Sequence, residues 1–290
     1  MTSTDPGGAA ALAEARSYCA TLTRENARDQ WLGALYAPPE CRDALLALAA
    51  FDHEIRQARR RARDPNLAAL RLAWWRGVIR SERDAEAAGN PTAFALMSAV
   101  EGFSLPRDEL EAMLDARLEE LVPSEDFDLA AFEVFAGGSD GARLRLAARI
   151  CGGGRDLDAA EAHAPAGLAL ALTRMLAALP AKAGSAPTLF PADVAARHGA
   201  TVLDFDAGRL SDGVAAACAE ACALAREKLA EAERRLGSSP QAILPAFIPL
   251  GGVGLDLDRL ERNAAKPFDA PPEASPLRLQ WAIWRWARRR

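Results

Sequence analysis

The sequence predicts an all-α fold, and three observations lead to that prediction. Alanine and leucine dominate the composition, whereas the β-branched and aromatic residues that favour strands are scarce. Apolar residues recur at three- and four-residue steps in most segments, as they do on one face of a helix. Half of the 290 residues are hydrophobic, which suffices for a large buried core and excludes a disordered chain.

The first elements are predicted from apolar spacing and from prolines. Residues 1–10 are expected to form a disordered tail, and a helix follows over about 11–26. A long helix with Pro39 in its first turn ends before Asp64-Pro65, because proline disfavours the α conformation in the residue before it. Its apolar stripe consists of Leu45, Leu48, Phe51, Ile55, Ala58 and Ala62.

The next helix carries an apolar row made of Leu67, Leu70, Trp74 and Val78, with Trp75 and Ile79 beside it. Further along, three glycines at 137–141 interrupt the helix predicted over about 129–150. Glycine weakens a helix by about 1 kcal/mol relative to alanine, so this run indicates either close helix packing or a local break.

The C-terminal half is also predicted to be helical. A central helix rich in alanine and leucine is expected over 158–178, and a final helix begins at Ser275-Pro276, an N-cap followed by a proline at N1. The longest regular stripe consists of Val214, Cys218, Ala221, Ala225, Leu229, Ala232 and Leu236.

Charge and composition exclude several classes of function. The net charge of −5 gives no whole-protein argument for nucleic-acid binding. No uninterrupted apolar run approaches the roughly 20 residues of a membrane span, and the N-terminal segment lacks a signal-peptide pattern. The five cysteines lack CxxC spacing, and Cys41, Cys218 and Cys222, which fall in helical patterns, are predicted to be core thiols in a reducing compartment, so a cytoplasmic location is expected.

The stretch from Ala50-Phe51 to the Leu-Ala-Trp-Trp-Arg run at 72–76 resembles the squalene/phytoene synthase family. Members of that family carry an acidic D-D-x-x-D motif on the first of these two helices. The resemblance implies a single-domain, isoprenoid synthase-like helical bundle around a central cavity, spanning 11–290. At the acidic motif this chain has Arg-Gln-Ala-Arg-Arg, residues 56–60.

A second family signature matches from Gly167 to Pro191 without a gap. Its asparagine, arginine and two aspartate positions hold, in order, Arg174, Ala177, Ala178 and Lys182. The synthase reaction that the family performs uses Mg²⁺ to bridge a diphosphate to two carboxylate clusters, and arginine offers no ligand oxygen. We therefore expect no bound metal or cofactor and no ordinary Mg²⁺-dependent synthase reaction.

The remaining motifs resemble a non-synthase branch of the family, the respiratory complex I assembly factors and their bacterial relatives. The matching segments are Ala50–Ile55, Leu70–Arg76, His163, Phe190–Asp193, His198-Gly199 and Ser275–Trp281. This resemblance implies a role in complex I assembly, with complex I subunits or assembly proteins as partners, or an isoprenoid- or lipid-binding scaffold. An active prenyltransferase and a plain helical interaction module are the alternatives.

The family frame places seven candidate cavity or ligand-binding residues: His53, Arg56, Arg59, Arg60, Arg76, His163 and Arg174. The arginine cluster has two interpretations that the sequence leaves open. It is either a solvated helix face, in which Asp52 and Arg56 form an i,i+4 pair, or a metal-free site for an isoprenoid diphosphate or anionic lipid. The histidines are expected to be structural and hydrogen-bonded.

The last helix combines three tryptophans with closing arginines over 281–290. Such a composition suits peripheral contact with a membrane interface, here the inner membrane. A terminal helix docked on the body of the protein, with a frayed basic end, explains it equally well.

Overall fold

The computed structural model describes residues 6–61, 64–122, 127–157, 160–270 and 275–289, with the side chains of 6, 59–61 and 160 left aside. Those described residues contain helices and turns but no strand, which confirms the all-α prediction. The helices are α1 Pro6–Asn26, α2 Arg28–Tyr36, α3 Pro39–Arg61, α4 Pro65–Ile79, α5 Asp84–Ala88, α6 Pro91–Gly102, α7 Arg107–Glu119, α8 Leu129–Ala136, α9 Ala142–Cys151, α10 Ala160–Lys182, α11 Ala192–Arg197, α12 Val202–Asp206, α13 Asp212–Leu236, α14 Leu244–Phe247, α15 Leu250–Arg262 and α16 Pro276–Ala287. A π-helical turn, Gly137–Gly141, joins α8 to α9.

Helix α1 begins at Pro6, inside the segment that the sequence analysis assigns to a tail. Proline suits the first turn of a helix, where its missing N–H has no intrahelical acceptor to lose. Residues 1–5 of the predicted tail lie outside the described residues.

The break between α3 and α4 falls where proline predicts it. Asp64 is the N-cap of α4, and its carboxylate accepts a hydrogen bond from the Asn66 backbone N–H. The α3 stripe is buried from Leu45 to Ala58, whereas Ala62 lies outside the described residues. The predicted apolar face of α3 is thus confirmed over its described length.

Helix α4 buries the C-terminal end of the predicted row, whereas the beginning of that row is exposed. Leu67 and Leu70 are 53% and 65% exposed, whereas Trp75 and Ile79 are buried. The ring of Trp75 meets that of Phe51 edge-on, with 4.9 Å between centroids. Because α4 has two neighbouring apolar rows and only one can contact α3, the row that contains Trp75 is buried and the start of the other row faces solvent.

Backbone contacts divide the chain into two compact units, each made of separate stretches. The first comprises 1–117, 142–159 and 239–249, and the second comprises 118–141, 160–238 and 250–290. Within the first unit, α3 packs against α1, α2, α4, α6 and α9; within the second, α10 packs against α13, α15 and the π-helical turn. The boundaries of the single domain expected over 11–290 stay a prediction.

The glycine-rich segment is both a local break and a site of close packing. A Cβ added at Gly167 of α10 would lie 2.7 Å from the Gly141 nitrogen and 2.9 Å from the Gly141 Cα. Real Cβ atoms do not approach backbone that closely, so α10 and the π-helical turn contact each other backbone to backbone. The glycine run therefore produces both the local break and the close helix packing.

The segment Glu161–Lys182 of α10 is long and apolar enough, by length and composition, to cross a membrane. In this structure, however, 61% of its most apolar window is buried by other parts of the protein. The core helices of soluble proteins pass the same test, so this feature is weak evidence for a span.

The predicted stripe of α13 is buried along its whole length, and the helix ends at Leu236 with Gly237 as C-cap. All five cysteines are free and buried, which confirms the core thiols predicted at Cys41, Cys218 and Cys222. Ser275 caps α16 through a hydrogen bond from the Arg278 backbone N–H, as predicted.

Candidate functional site

The first residue aligned with the acidic motif, Arg56, forms an ion pair with a buried carboxylate one turn before it. Asp52 lies on α3 and is only 2% exposed, although it falls off the apolar stripe. Arg56, one turn later on the same helix, donates through Nε to Asp52 Oδ1 at 2.8 Å. The predicted i,i+4 pair is thus present, but its carboxylate is buried rather than solvated.

A second arginine approaches the same carboxylate from α9. Arg143 Nε lies 3.8 Å from Asp52 Oδ2, and both side chains are 3% exposed. On another side, Gln30 Nε2 donates to Asp52 Oδ2 at 3.5 Å. One carboxylate is therefore surrounded by two guanidinium groups and an amide in a water-poor part of the first unit, where charge-assisted hydrogen bonds are strong.

A small cavity of about 20 Å³ adjoins this cluster within the first unit. Gln30 and Arg143 contribute polar atoms to its wall, and the rest is mostly apolar. The remaining lining residues are Gly33, Ala34, Leu45, Leu48, Ala147, Pro245, Ala246 and Pro249. This volume has room for about one water molecule, not a prenyl chain. A cavity that takes an isoprenoid stays a prediction.

The second signature also places an arginine on a buried aspartate. Arg174 of α10 donates to the carboxylate of Asp140, which lies in the π-helical turn and is 1% exposed. The Arg174 side chain is 30% exposed. The close contact at Gly167, on the same helix, brings the π-helical turn near enough for this pair to form.

The other predicted site residues lie in varied surroundings. Arg76, in the last turn of α4, forms ion pairs with two acids of α7: its Nη2 is 2.6 Å from Asp115 Oδ1, and its Nη1 is 3.5 Å from Glu111 Oε2. His53 is half-buried on α3, and His163 is buried on α10 at 5% exposure. The side chains of Arg59 and Arg60 lie outside the described residues.

Three charged residues in these clusters were not among the predicted site residues: Asp52, Asp140 and Arg143. Two of these residues have a recognisable signal in the sequence. Asp52 stands one helical turn before Arg56, and Asp140 is an acid inside a run of glycines. Arg143 gave no local signal, because its partner on α3 lies far away along the chain.

The chemistry of both clusters is that of carboxylates neutralised by guanidinium groups. Guanidinium N–H groups donate and never ligate a cation. The guanidinium group carries five donors in a planar fork, a geometry that suits both carboxylates and phosphates. Among the residues that the structure describes, no group of three or more His, Cys, Asp and Glu side chains is arranged to hold a metal ion.

Comparison with known proteins gives relatives of two kinds. Complex I assembly factor 6 of Mus musculus is 24% identical over 245 residues, which cover 84% of this chain and 73% of that protein. The Bos taurus protein of the same name is 25% identical over 252 residues, 87% of this chain and 74% of its own length.

The solved structures show the same fold. Squalene synthase HpnC from Alicyclobacillus acidocaldarius superposes with a TM-score of 0.73 at 20% identity, covering 89% of this chain and 97% of that one. A dehydrosqualene synthase superposes with a TM-score of 0.79 at 13% identity, covering 96% and 97%. The sequence profile described as squalene/phytoene synthase matches residues 23–285. The chain therefore belongs to the squalene/phytoene synthase family.

Proposed function

We propose that this chain is a catalytically degenerate member of its family that acts in respiratory complex I assembly and does not bind Mg²⁺-diphosphate as a synthase would. One observation carries the proposal: at each of the two signature positions, an arginine is paired with a buried aspartate. Arg56 binds Asp52, and Arg174 binds Asp140.

These pairs argue against a magnesium site on electrostatic grounds. Mg²⁺ needs carboxylate oxygens in near-octahedral geometry, and here the oxygens accept hydrogen bonds from guanidinium groups. A divalent cation a few ångströms from a fixed positive charge is repelled most strongly where water is excluded. The residues present therefore do not fit the metal.

The role in complex I assembly is supported by the names of the curated relatives, which span most of this chain at about a quarter identity. Under this proposal the partners are complex I subunits or other assembly proteins, and the protein works from the cytoplasm at the inner membrane. Its test is genetic. Deleting the gene should lower NADH:quinone oxidoreductase activity in isolated membranes, and wild-type protein should restore that activity.

A scaffold that binds an isoprenoid diphosphate or anionic lipid is the second candidate. Arg56 and Arg174 favour it, because their side chains are 24% and 30% exposed and carry donors suited to phosphate. The active prenyltransferase of the sequence analysis differs from it in one respect, since it needs Mg²⁺ for turnover.

Calorimetric titration with farnesyl and geranylgeranyl diphosphate, with and without Mg²⁺ and with a product assay, distinguishes these functions. Metal-independent binding without product, weakened by Arg56→Ala but not by Arg209→Ala on the surface, supports the scaffold. Mg²⁺-dependent product formation would overturn the degenerate assignment. No binding, together with restored complex I activity in the deletion strain, leaves the assembly role alone.

A further inference from the structure

Helix α16 packs on the second unit through one face, which contains Ile283 and Trp286. Ile283 and Trp286 are 1% and 8% exposed, and Trp286 Nε1 donates to Glu233 Oε1 of α13 at 2.8 Å. Against α15, a Cβ added at Gly251 would lie 2.9 Å from the Ile283 Cα. This close packing fixes the rotation of α16 about its axis, and so determines which side chains point outward.

The opposite face of α16 exposes large apolar side chains. Leu277, Trp281 and Trp284 are 79%, 56% and 43% exposed. They follow one another at steps of four and three residues, which places them on one stripe of the helix surface. Exposed tryptophans grouped in this way mark an interaction surface rather than an ordinary solvated face.

Arginines accompany this stripe. The Arg285 guanidinium lies 4.5 Å from the centroid of the Trp281 ring, and that of Arg288 lies 4.6 Å from the Trp284 ring. Arg278 and Arg289 are exposed as well, and residues 275–289 contain no Asp or Glu. Although the whole chain has a net charge of −5, this face is locally cationic.

We propose that the outward face of α16, defined by Leu277, Trp281, Trp284, Arg285 and Arg288, binds an anionic phospholipid surface. Tryptophan rings favour the boundary between headgroups and acyl chains, and arginines beside them bind lipid phosphates. Stacking on the tryptophans holds both guanidinium groups next to the apolar stripe before binding, so less conformational freedom is lost.

Charge complementarity favours an anionic lipid surface as the binding partner of this face. A second copy of the chain would bring its own cationic α16 face against this one, and like charges would oppose that contact. An apolar partner would leave the guanidinium groups without counter-charges. This inference deepens the proposed location at the inner membrane by naming the surface that binds it, and its test requires neither complex I nor an isoprenoid ligand.

Co-sedimentation with phospholipid vesicles tests the inference on the full chain. The wild type should bind vesicles of phosphatidylcholine mixed with phosphatidylglycerol, bind phosphatidylcholine alone much more weakly, and lose affinity as salt rises. Each of Arg285→Gln and Arg288→Gln should lower binding to the anionic vesicles about fivefold. Trp281→Ser with Trp284→Ser should lower binding to either kind of vesicle.

The matched control is Leu67→Ser with Leu70→Ser, which removes exposed apolar side chains from α4 and should leave vesicle binding unchanged. The altered side chains are all exposed, so circular dichroism and the melting temperature should match the wild type. Failure of the wild type to bind anionic vesicles, or equal binding by the α16 variants, would overturn the inference. So would lipid-free self-association that the tryptophan variant abolishes.

Discussion

Asp52 shows how much of the candidate site can be predicted from a single residue and its neighbours on one helix. Its side chain falls outside the apolar stripe of α3, and its pairing with Arg56 follows from helical spacing alone. Its burial does not follow from the sequence, because it depends on Arg143, which reaches it from a helix distant along the chain. Local periodicity predicts neighbours on one helix, whereas the burial of a charge depends on which helices meet.

Arg174→Ala should destabilise the protein by about 3 kcal/mol, since it removes a positive charge from beside a carboxylate that is 1% exposed. Urea unfolding measured by circular dichroism would detect the change as a lower midpoint. Arg209→Ala, which removes the partner of Asp204 from an exposed pair, serves as control and should shift the midpoint far less. Equal losses in the two variants would show that the Asp140–Arg174 pair does not act as a buried one.

At the scale of elements, apolar spacing and capping residues predicted where most helices lie. Which face of a helix is buried depended on its packing against other helices. The α13 stripe, the break at Asp64-Pro65 and the Ser275 cap match the structure, because each depends on residues within one or two turns. The sequence of α4 alone could not show which of its two neighbouring apolar rows is buried. That choice depends on Phe51, which belongs to another helix.

The contact between α10 and the π-helical turn predicts opposite effects for two glycines. Gly167→Ala should cost about 1–3 kcal/mol, because the new methyl group would meet the Gly141 backbone, which cannot rotate away. Gly137→Ala meets no atom within 4 Å and should be neutral or stabilising by up to about 1 kcal/mol. Thermal unfolding of both variants measures this, and a neutral Gly167→Ala would refute the close contact.

The pairing of Arg80, the C-cap of α4, with α7 should appear as a pH effect. A two-pronged hydrogen bond from Arg80, at 2.9 and 2.7 Å, lowers the pKa of Glu111 from 4.5. A lowered carboxyl pKa stabilises the fold above the unfolded value, and this stabilisation is lost as pH falls through the lower, folded value.

Glu111→Gln should therefore cost roughly 0.2–1 kcal/mol at pH 7, the range of exposed pairs. The difference from wild type should vanish as the pH drops well below 4.5. Unfolding free energies measured across that range test the effect, with the exposed Glu101→Gln as control. A difference that persists in strong acid would assign the loss to packing instead.

At the scale of the whole molecule, composition and the family frame were enough to predict the fold class, and the comparisons confirm it. Apolar stripes on helices indicate that the helices bury these faces against one another in a core, and small alanine side chains allow the helices to pack closely. The arrangement of charges inside that core was not predictable in the same way. Asp52 and Asp140 are buried by contacts that only the assembled helices create.

The accessibility of the five buried cysteines reports whether the fold is intact, because both units contain some of them. Burial raises the pKa of the Cys19, Cys151 and Cys218 thiols to about 12, and that of Cys222 to about 11. Thiolates are the reactive species, so the native protein should resist a thiol-specific reagent, and five groups should react after unfolding. Rapid modification of the native chain would show that a unit opens readily.

Each arginine on a buried aspartate also has an evolutionary consequence. Restoring asparagine, the residue of the synthase signature, at position 174 would cost about 3 kcal/mol before any metal could be held. Adding an aspartate at Ala178 while Arg174 is still present would create another salt bridge at a spacing of four residues, and no ligand for Mg²⁺. Under the proposed function, a change toward Mg²⁺-dependent synthase chemistry would therefore require several simultaneous substitutions. The ion pairs would make that chemistry hard to reach by single substitutions, because each single change leaves a charge unpaired or adds another salt bridge.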